Sequence, residues 1–235
     1  MQKKLRLILT LPILLLRHRL FIFQYGIRAF RNSLRINFKH FDLKVAKHFP
    51  IYVSRNYVLK SLEGKIILPK EWQTGMIQFG TFEIGIYDSK TDKGIIDLKP
   101  SSQLIFEGRA LLGVGCRISV NEKAKLTIGD DFTITASSTI ICSNIIRFGV
   151  GCLLSWEILI MDSDLHTLLP KSEKLEEVHI GAKNWIGAKS TLLKSTKTGE
   201  GCIIGTSSLL SSSFGDHVLI AGNPAKVLKD DVSWE

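Results

Sequence analysis

His166 is the residue whose neighbours most clearly indicate acid–base chemistry. It stands four residues after Asp162 and two after Asp164. A neutral imidazole can accept a proton near neutral pH, and a carboxylate on its far nitrogen would fix the tautomer and stabilise the imidazolium. Asp164 is the better candidate for that carboxylate, and a solvated turn carboxylate is the alternative interpretation.

The other five histidines lie in less suitable surroundings. His179 stands in an apolar strand pattern and is expected to point outward, and His217 follows the last repeat. The remaining three lie in a basic N-terminal segment, where solvated or membrane-facing roles are expected: His18, His40 and His48.

A repeat of six residues must position His166. Helices repeat every 3.6 residues and half-buried strands every two, so a sustained period of six is typical of the hexapeptide repeat of a parallel β-helix. We therefore predict an all-β solenoid with one inward-facing aliphatic side chain per hexapeptide. The period occurs in two runs: Ile128, Ile134, Ile140, Ile146, Cys152 and Ile158, then Ile180, Ile186, Leu192, Thr198, Ile204 and Leu210.

Changes of phase divide the chain into three parts. The β-helix domain is predicted at 61–222, beginning near residue 62 and becoming regular near residue 104. The phase is lost at 161–178, where a polar, charged segment is expected to leave the coil as a loop on the binding side. Asn223-Pro224 breaks the repeat, so residues 223–235 are predicted to form a C-terminal cap.

Residues 1–60 carry the positive charge of the chain. They hold 13 Lys or Arg and one acid, Asp42, a net charge of +12, whereas the whole chain carries +9, which leaves −3 for the rest. Anionic membranes and nucleic acids are the usual partners of such a segment. Its interleaved aromatic residues could stack on single-stranded nucleic acid, but no nucleic-acid-binding module accompanies them, so nucleic acid is disfavoured.

Residues 1–25 are apolar without being long enough to span a bilayer. Their uncharged run extends only over residues 7–16, against about 20 residues needed, and no small-residue cleavage site indicates a signal peptide. Two interpretations remain: a helix packed on the solenoid or trimer, or an interfacial helix with its arginines among lipid headgroups. Residues 27–60 are predicted to form short extended pieces around Ile36, Phe38 and Val45.

The cysteines favour a reducing compartment. None belongs to a C-x-x-C pair, and isolated cysteines in apolar phase are typical of small core residues. We therefore expect a cytoplasmic protein, with possible peripheral contact at the inner face of the cell membrane. The four cysteines are Cys116, Cys142, Cys152 and Cys202.

Three segments resemble the left-handed β-helix O-acetyltransferases, such as the maltose and galactoside acetyltransferases. They are residues 186–188 (Ile-Gly-Ala), 204–206 (Ile-Gly-Thr) and 221–227 (Ala-Gly-Asn-Pro-Ala-Lys-Val). Residues 155–166 resemble the sugar acetyltransferases of polysaccharide pathways. The resemblance covers roughly residues 104–229 and implies a left-handed parallel β-helix.

The resemblance also implies an activity and a site. The chain would transfer an acetyl group from acetyl-CoA to a hydroxyl of a sugar or glycan, in capsule, O-antigen or exopolysaccharide biosynthesis, with no metal. His166 would be the general base, because it stands where the family places its catalytic histidine. The residues themselves, rather than the resemblance, indicate Asp164 as its orienting carboxylate, for which family members more often use a backbone carbonyl. They likewise indicate Asn144, with Ser143 beside it one coil earlier, as the candidate donor to the oxyanion. Acetyl-CoA would lie in a groove between parallel subunits of a homotrimer. Positions that match the groove are Trp185, Ala188, Thr206, Ser211, Ser212, Lys226 and Lys229.

One departure concerns the phosphates of acetyl-CoA. The family often has Thr-Lys where this chain has Ser211-Ser212, so Lys194 or Lys197 could supply that contact. The structural alternatives are a turn-forming role for Asn144, corner packing for the small groove residues and solvated charge for the lysines.

Other functions of the same fold are excluded or kept as alternatives. A γ-type carbonic anhydrase needs two zinc-binding histidines five residues apart, and no His-x4-His occurs. A sugar nucleotidyltransferase needs a Gly-rich nucleotide domain, and a serine acetyltransferase needs a long helical N-terminal domain, neither of which residues 1–60 resemble. A non-catalytic β-helix scaffold that binds a membrane or nucleic acid through its basic arm remains the alternative from another class.

Overall fold

The computed structural model describes residues 11–88, 90–166 and 175–235. Its main body is a left-handed parallel β-helix, which confirms the predicted fold class. Each coil of the chain contributes one strand to each of three parallel sheets, so a strand pairs with the third strand after it in sequence. We name the sheets faces A, B and C, and the turns between them corners AB, BC and CA.

Face A consists of β1 (Ile51–Val53), β4 (Ile77–Phe79), β7 (Ala110–Val114), β10 (Phe132–Ala136), β13 (Leu153–Trp156), β16 (Trp185–Ile186), β19 (Ile203–Ile204), β22 (Leu219–Gly222) and β23 (Ala225–Lys229). Face B consists of β2 (Tyr57–Leu62), β5 (Gly94–Leu98), β8 (Arg117–Val120), β11 (Thr139–Cys142), β14 (Leu159–Met161), β17 (Thr191–Leu192) and β20 (Leu209–Leu210). Face C consists of β3 (Lys65–Ile67), β6 (Gln103–Phe106), β9 (Lys125–Ile128), β12 (Ile145–Phe148), β15 (Val178–Ile180), β18 (Lys197–Thr198) and β21 (Ser213–Phe214).

The core of the β-helix is the predicted sixfold series. All of its positions are at most 6% exposed, which confirms that they point inward. The strand register nevertheless pairs Ile134 with Leu154, twenty residues on, whereas Ile186 pairs with Ile204, eighteen residues on. The coil from Ile134 to Leu154 is therefore two residues longer than the coil from Ile186 to Ile204. As a result, Cys152 is buried at a corner instead of in a strand.

The N-terminal segment is more helical than its sequence predicted. Residues 11–17 are helical, followed by α1 (Arg19–His40), with a kink at Gly26 (φ +83°), and α2 (Leu43–Ala46). The expectation of extended pieces around Ile36, Phe38 and Val45 was wrong, since the first two lie in α1 and Val45 lies in α2. The buried side chains of residues 27–40 recur every three or four residues and form one helical face. Those buried residues are Ala29, Phe30, Ser33, Ile36 and Asn37.

Helix α1 covers the open edge of the first strand. The side chain of Asn37 donates to the carbonyl of Ile51 at 2.7 Å and accepts from its N–H at 3.2 Å. Ser33 Oγ accepts from the N–H of Val53 at 2.9 Å. These bonds satisfy an edge that would otherwise be free to pair with another chain. The first coil thus begins at Ile51, earlier than the start predicted near residue 62.

Two long excursions interrupt the coils. One joins β4 to β5 and lies at corner AB, and the other joins β14 to β15 and lies at corner BC, as predicted from the loss of phase at 161–178. At the C-terminal end β23 runs antiparallel to β22 and completes face A. No helix in the described part of the chain is long and apolar enough to cross a bilayer.

All four cysteines are free and buried, as expected for small core residues. Burial raises the pKa of the Cys116 thiol to about 12 and that of Cys152 to about 11. These thiols therefore stay protonated near neutral pH and act as apolar packing groups.

Candidate functional site

The segment that carries His166 leaves the β-helix directly after β14. Because Ile160 points into the core, Asp162, two residues later, also points inward and is 0% exposed. Its carboxylate accepts hydrogen bonds from the backbone N–H groups of Ser143 at 2.7 Å and Asn144 at 2.8 Å. Burial raises the pKa of Asp162, and the two N–H groups act in the opposite direction. Asp162 thus ties the start of the loop to corner BC of the preceding coil.

The two ends of this loop meet in a neck on the surface of the next coil. Ser163 and Leu175 form an antiparallel bridge. Lys194 Nζ lies 2.6 Å from Asp164 Oδ2 and 3.9 Å from Glu176 Oε1, so one ammonium group contacts a carboxylate from each end. Both members of the shorter pair are largely buried, with side-chain exposures of 18% and 27%, which makes the pair less screened by water than a surface ion pair.

His166 lies just beyond this neck and is exposed. Asp164 was predicted to orient its imidazole, but the carboxylate of Asp164 is bound to Lys194, and no hydrogen bond joins it to His166 within the described chain. Lys194 was predicted as a possible ligand of the acetyl-CoA phosphates, but its ammonium group forms ion pairs with Asp164 and Glu176 in the neck. Part of the predicted excursion, residues 167–174, lies outside the described residues.

Asn144 occupies corner BC, one coil before His166, as predicted. Its backbone N–H is committed to Asp162, and so is that of the neighbouring Ser143. The half-buried side-chain amide of Asn144 is therefore the group of this residue that could donate to an oxyanion.

The predicted groove residues divide between two corners. Ala188 and Thr206 lie at corner AB of successive coils, beside Trp185 on face A. Thr206 is exposed and Trp185 is 39% exposed, whereas Ala188 is only 6% exposed and packs within its corner. The indole Nε1 of Trp185 donates to Ser155 Oγ at 3.4 Å, and its ring lies 6.3 Å from that of Trp234. Trp185 therefore lies on the outer side of face A, between Ser155 and Trp234.

The remaining groove candidates lie farther along the β-helix. Lys226 and Lys229 are exposed on β23, the last strand of face A. Ser211 and Ser212 are exposed at corner BC of the last complete coil. The two serines therefore share a corner with His166, and the lysines share a face with Trp185.

A polar cluster at corner AB was not anticipated from the sequence. The excursion between β4 and β5 reaches along this corner, and the Tyr87 hydroxyl donates to the Glu157 carboxylate. Lys189 Nζ lies 3.7 Å from the same carboxylate. Burial and the Glu157 carboxylate raise the pKa of Tyr87 to about 12. The cluster lies beside Ala188, but these residues are far apart in sequence and carry no motif that would have linked them.

Comparisons with known proteins agree with this architecture. The structure superposes on the polysialic-acid-specific acetyltransferase NeuO with a TM-score of 0.54 and 17% identity, covering 77% of this chain and 89% of that one. The chain has the left-handed β-helix fold of the hexapeptide-repeat acetyltransferases. No family model matches the sequence.

The curated proteins that this chain matches in sequence are named as acetyltransferases. A probable acetyltransferase of Mycobacterium tuberculosis is 39% identical over 59 residues, which are 25% of this chain and 20% of the relative. A putative lipopolysaccharide biosynthesis O-acetyltransferase of Escherichia coli, WbbJ, is 27% identical over 130 residues, covering 50% of this chain and 66% of the relative. The chain spans between a fifth and a third of the length of the first curated relatives it matches. These findings confirm the resemblance seen in the sequence.

Proposed function

We propose that this protein transfers an acetyl group from acetyl-CoA to a hydroxyl of a sugar or glycan, with His166 as the general base. The observation that carries the proposal is the neck at corner BC, because the exposed His166 lies directly beyond it. The names of the relatives support an acetyl transfer, and WbbJ supports an acceptor in polysaccharide biosynthesis.

The chemistry follows from the properties of imidazole and thioesters. His166 would take the proton from the acceptor hydroxyl as its oxygen attacks the thioester carbonyl. The resulting tetrahedral oxyanion would accept a hydrogen bond from a donor such as the side chain of Asn144. Its collapse breaks the carbon–sulfur bond, and the imidazolium returns the proton to the CoA thiolate. An acetyl ester and free CoA are the products.

We further propose that the active unit is a parallel homotrimer. His166 lies at corner BC, whereas Thr206 lies at corner AB and Trp185 lies on face A. Within one protomer, the base is therefore on a different side of the β-helix from these two groove residues. A neighbouring protomer could bring its corner AB to the base. The groove between them would hold the pantetheine, with Lys226 and Lys229 near the phosphates.

The outward sides of the faces support this assembly. Faces A and B carry rows of half-exposed apolar residues that a neighbouring protomer could cover, whereas the outward positions of face C combine exposed charged or polar residues with the apolar Ile67, Ile105 and Ile145. The apolar positions are Leu111, Leu153, Ile203 and Leu219 on face A and Ile95, Ile141, Leu159 and Leu209 on face B; the polar ones on face C are Lys125, Arg147, His179 and Lys197. Burial of the apolar rows of faces A and B against neighbouring protomers would stabilise such an assembly.

The experiment is a screen of acceptors with the purified chain. Free sugars, nucleotide-linked sugars and lipid-linked glycans are incubated with acetyl-CoA, and the release of CoA thiol is measured. We expect acceptor-dependent release and an acetyl ester in the product by mass spectrometry. A panel that gives no acceptor-dependent release, together with no binding of CoA in calorimetry, would favour the non-catalytic scaffold. Sedimentation equilibrium should give the mass of three chains, and a fully active monomer would refute the shared site.

A further inference from the structure

The N-terminal helices expose an apolar surface that packs against no residue in the described part of the chain. Leu14, His18 and Phe21 are buried in a small cluster with Phe49 and Tyr52, beside the first coil. The opposite side exposes Ile13 (67%), Leu16 (68%), Leu20 (76%) and Phe23 (92%), spaced three or four residues apart. These four residues, which we call the apolar stripe, lie on one side of successive helical turns.

The exposed side becomes basic after the kink at Gly26. Arg28, Arg31, Arg35 and Lys39 are all exposed on the second half of α1. Within the described chain none of these four side chains forms an ion pair with a carboxylate. Residues 11–40, which we call the arm, therefore present an apolar half followed by a basic half.

We infer that this arm binds the surface of an anionic lipid bilayer, with the apolar stripe among the acyl chains and the basic half at the headgroups. An apolar stripe with cationic flanks is the composition of helices that lie in the membrane interface. The structure adds to the sequence pattern by showing which side of the helix is covered and which side is exposed. One side caps the solenoid through Ser33 and Asn37, and the other side remains exposed.

Charge decides between lipid and a second copy of the chain as the occupant. Residues 11–41 contain six Lys or Arg and no Asp or Glu. Two such helices packed stripe to stripe would bring arginines together without a carboxylate to pair them, which is unfavourable. An anionic bilayer supplies the missing negative charge along the whole arm.

The test uses the full-length protein and sedimentation with vesicles. One set contains phosphatidylcholine alone and the other also contains phosphatidylglycerol. We expect binding to the anionic vesicles that weakens as salt is added. Each of Arg28→Gln and Arg31→Gln should weaken it about fivefold, the effect of one basic residue near the surface. Leu20→Gln with Phe23→Gln should weaken it about tenfold or more, since two apolar side chains no longer leave water.

Two controls separate this proposal from its alternatives. Ile86→Gln with Val150→Gln removes exposed apolar side chains elsewhere (67% and 50% exposed) and should leave vesicle binding unchanged. Lys125→Gln with Lys197→Gln removes charge from face C and should do the same. Binding that is equal on neutral vesicles, or that falls equally in arm and control variants, would overturn the inference. So would stripe variants that change sedimentation of the protein without lipid and leave vesicle binding intact, because the stripe would then bind a second copy.

Discussion

Replacing Asp162 by Asn should loosen the loop that carries His166. The carboxylate of Asp162 accepts the N–H groups of Ser143 and Asn144 with its two oxygens. An amide has one oxygen, so its NH2 group would face one of the two N–H donors and leave it without an acceptor. A hydrogen bond to a charged group contributes about 1.5–3 kcal/mol to the free energy of unfolding.

That loss corresponds to a fall in Tm of about 3–12 °C, because 1 kcal/mol shifts the Tm of a protein of this size by about 2–4 °C. Differential scanning calorimetry measures it. The transfer rate should fall as well, because the base is displaced, whereas the KM for acetyl-CoA should change little. Asp131→Asn is the matched control: it breaks only the exposed ion pair with Arg109, so its effect on Tm should be smaller. An unchanged Tm in Asp162→Asn, or an equal fall in both variants, would refute the anchoring role of Asp162.

Three further predictions concern other parts of the molecule. Asn37→Ala should lower Tm, because it leaves the buried N–H and C=O of Ile51 unpaired at a cost of about 1–3 kcal/mol each. Asn32→Ala leaves the bonds to the edge of β1 at Ile51 intact and should lower Tm less. Burial and Lys39 lower the pKa of His40 from 6.5 to about 4. Between these two pH values the unfolded chain binds more protons than the folded chain, so the free energy of unfolding should fall as the pH drops from 6.5 to about 4. His40→Gln should flatten this pH dependence in thermal melts, and an unchanged profile would contradict the role of His40. Lys229→Ala should raise the KM for acetyl-CoA and leave turnover at saturation nearly unchanged, and a fall in turnover instead would remove Lys229 from the phosphate site.

The β-helix was predictable because each hexapeptide needs one inward aliphatic side chain. Ile134, Ile140 and their repeats therefore mark the coils directly in the sequence. The helix over residues 27–40 was not predicted, because its aromatic and β-branched residues favour strands locally. The helical period of the buried side is also obscured because two of its members, Ser33 and Asn37, are polar residues that bond β1.

The position of the loop was also predictable, but its internal partners were not. Asp162 could have been recognised as inward-facing from its distance of two residues to Ile160, since side chains alternate along a strand. Lys194 stands thirty residues after Asp164, and no local pattern links the two. Asp164 was assigned to the imidazole because it stands two residues before His166.

Transfer of labelled acetyl from acetyl-CoA to the acceptor by wild-type protein and by His166→Ala is the most direct measurement of the proposed mechanism. We expect wild type to place the label in a base-labile ester and His166→Ala to do so about 10²–10⁴-fold more slowly, with CoA affinity and trimer mass unchanged. His179→Ala, on the polar outer side of face C, should match wild type. Wild-type transfer by His166→Ala, or loss of transfer in His179→Ala or His217→Ala, would contradict the assignment of His166 as the base.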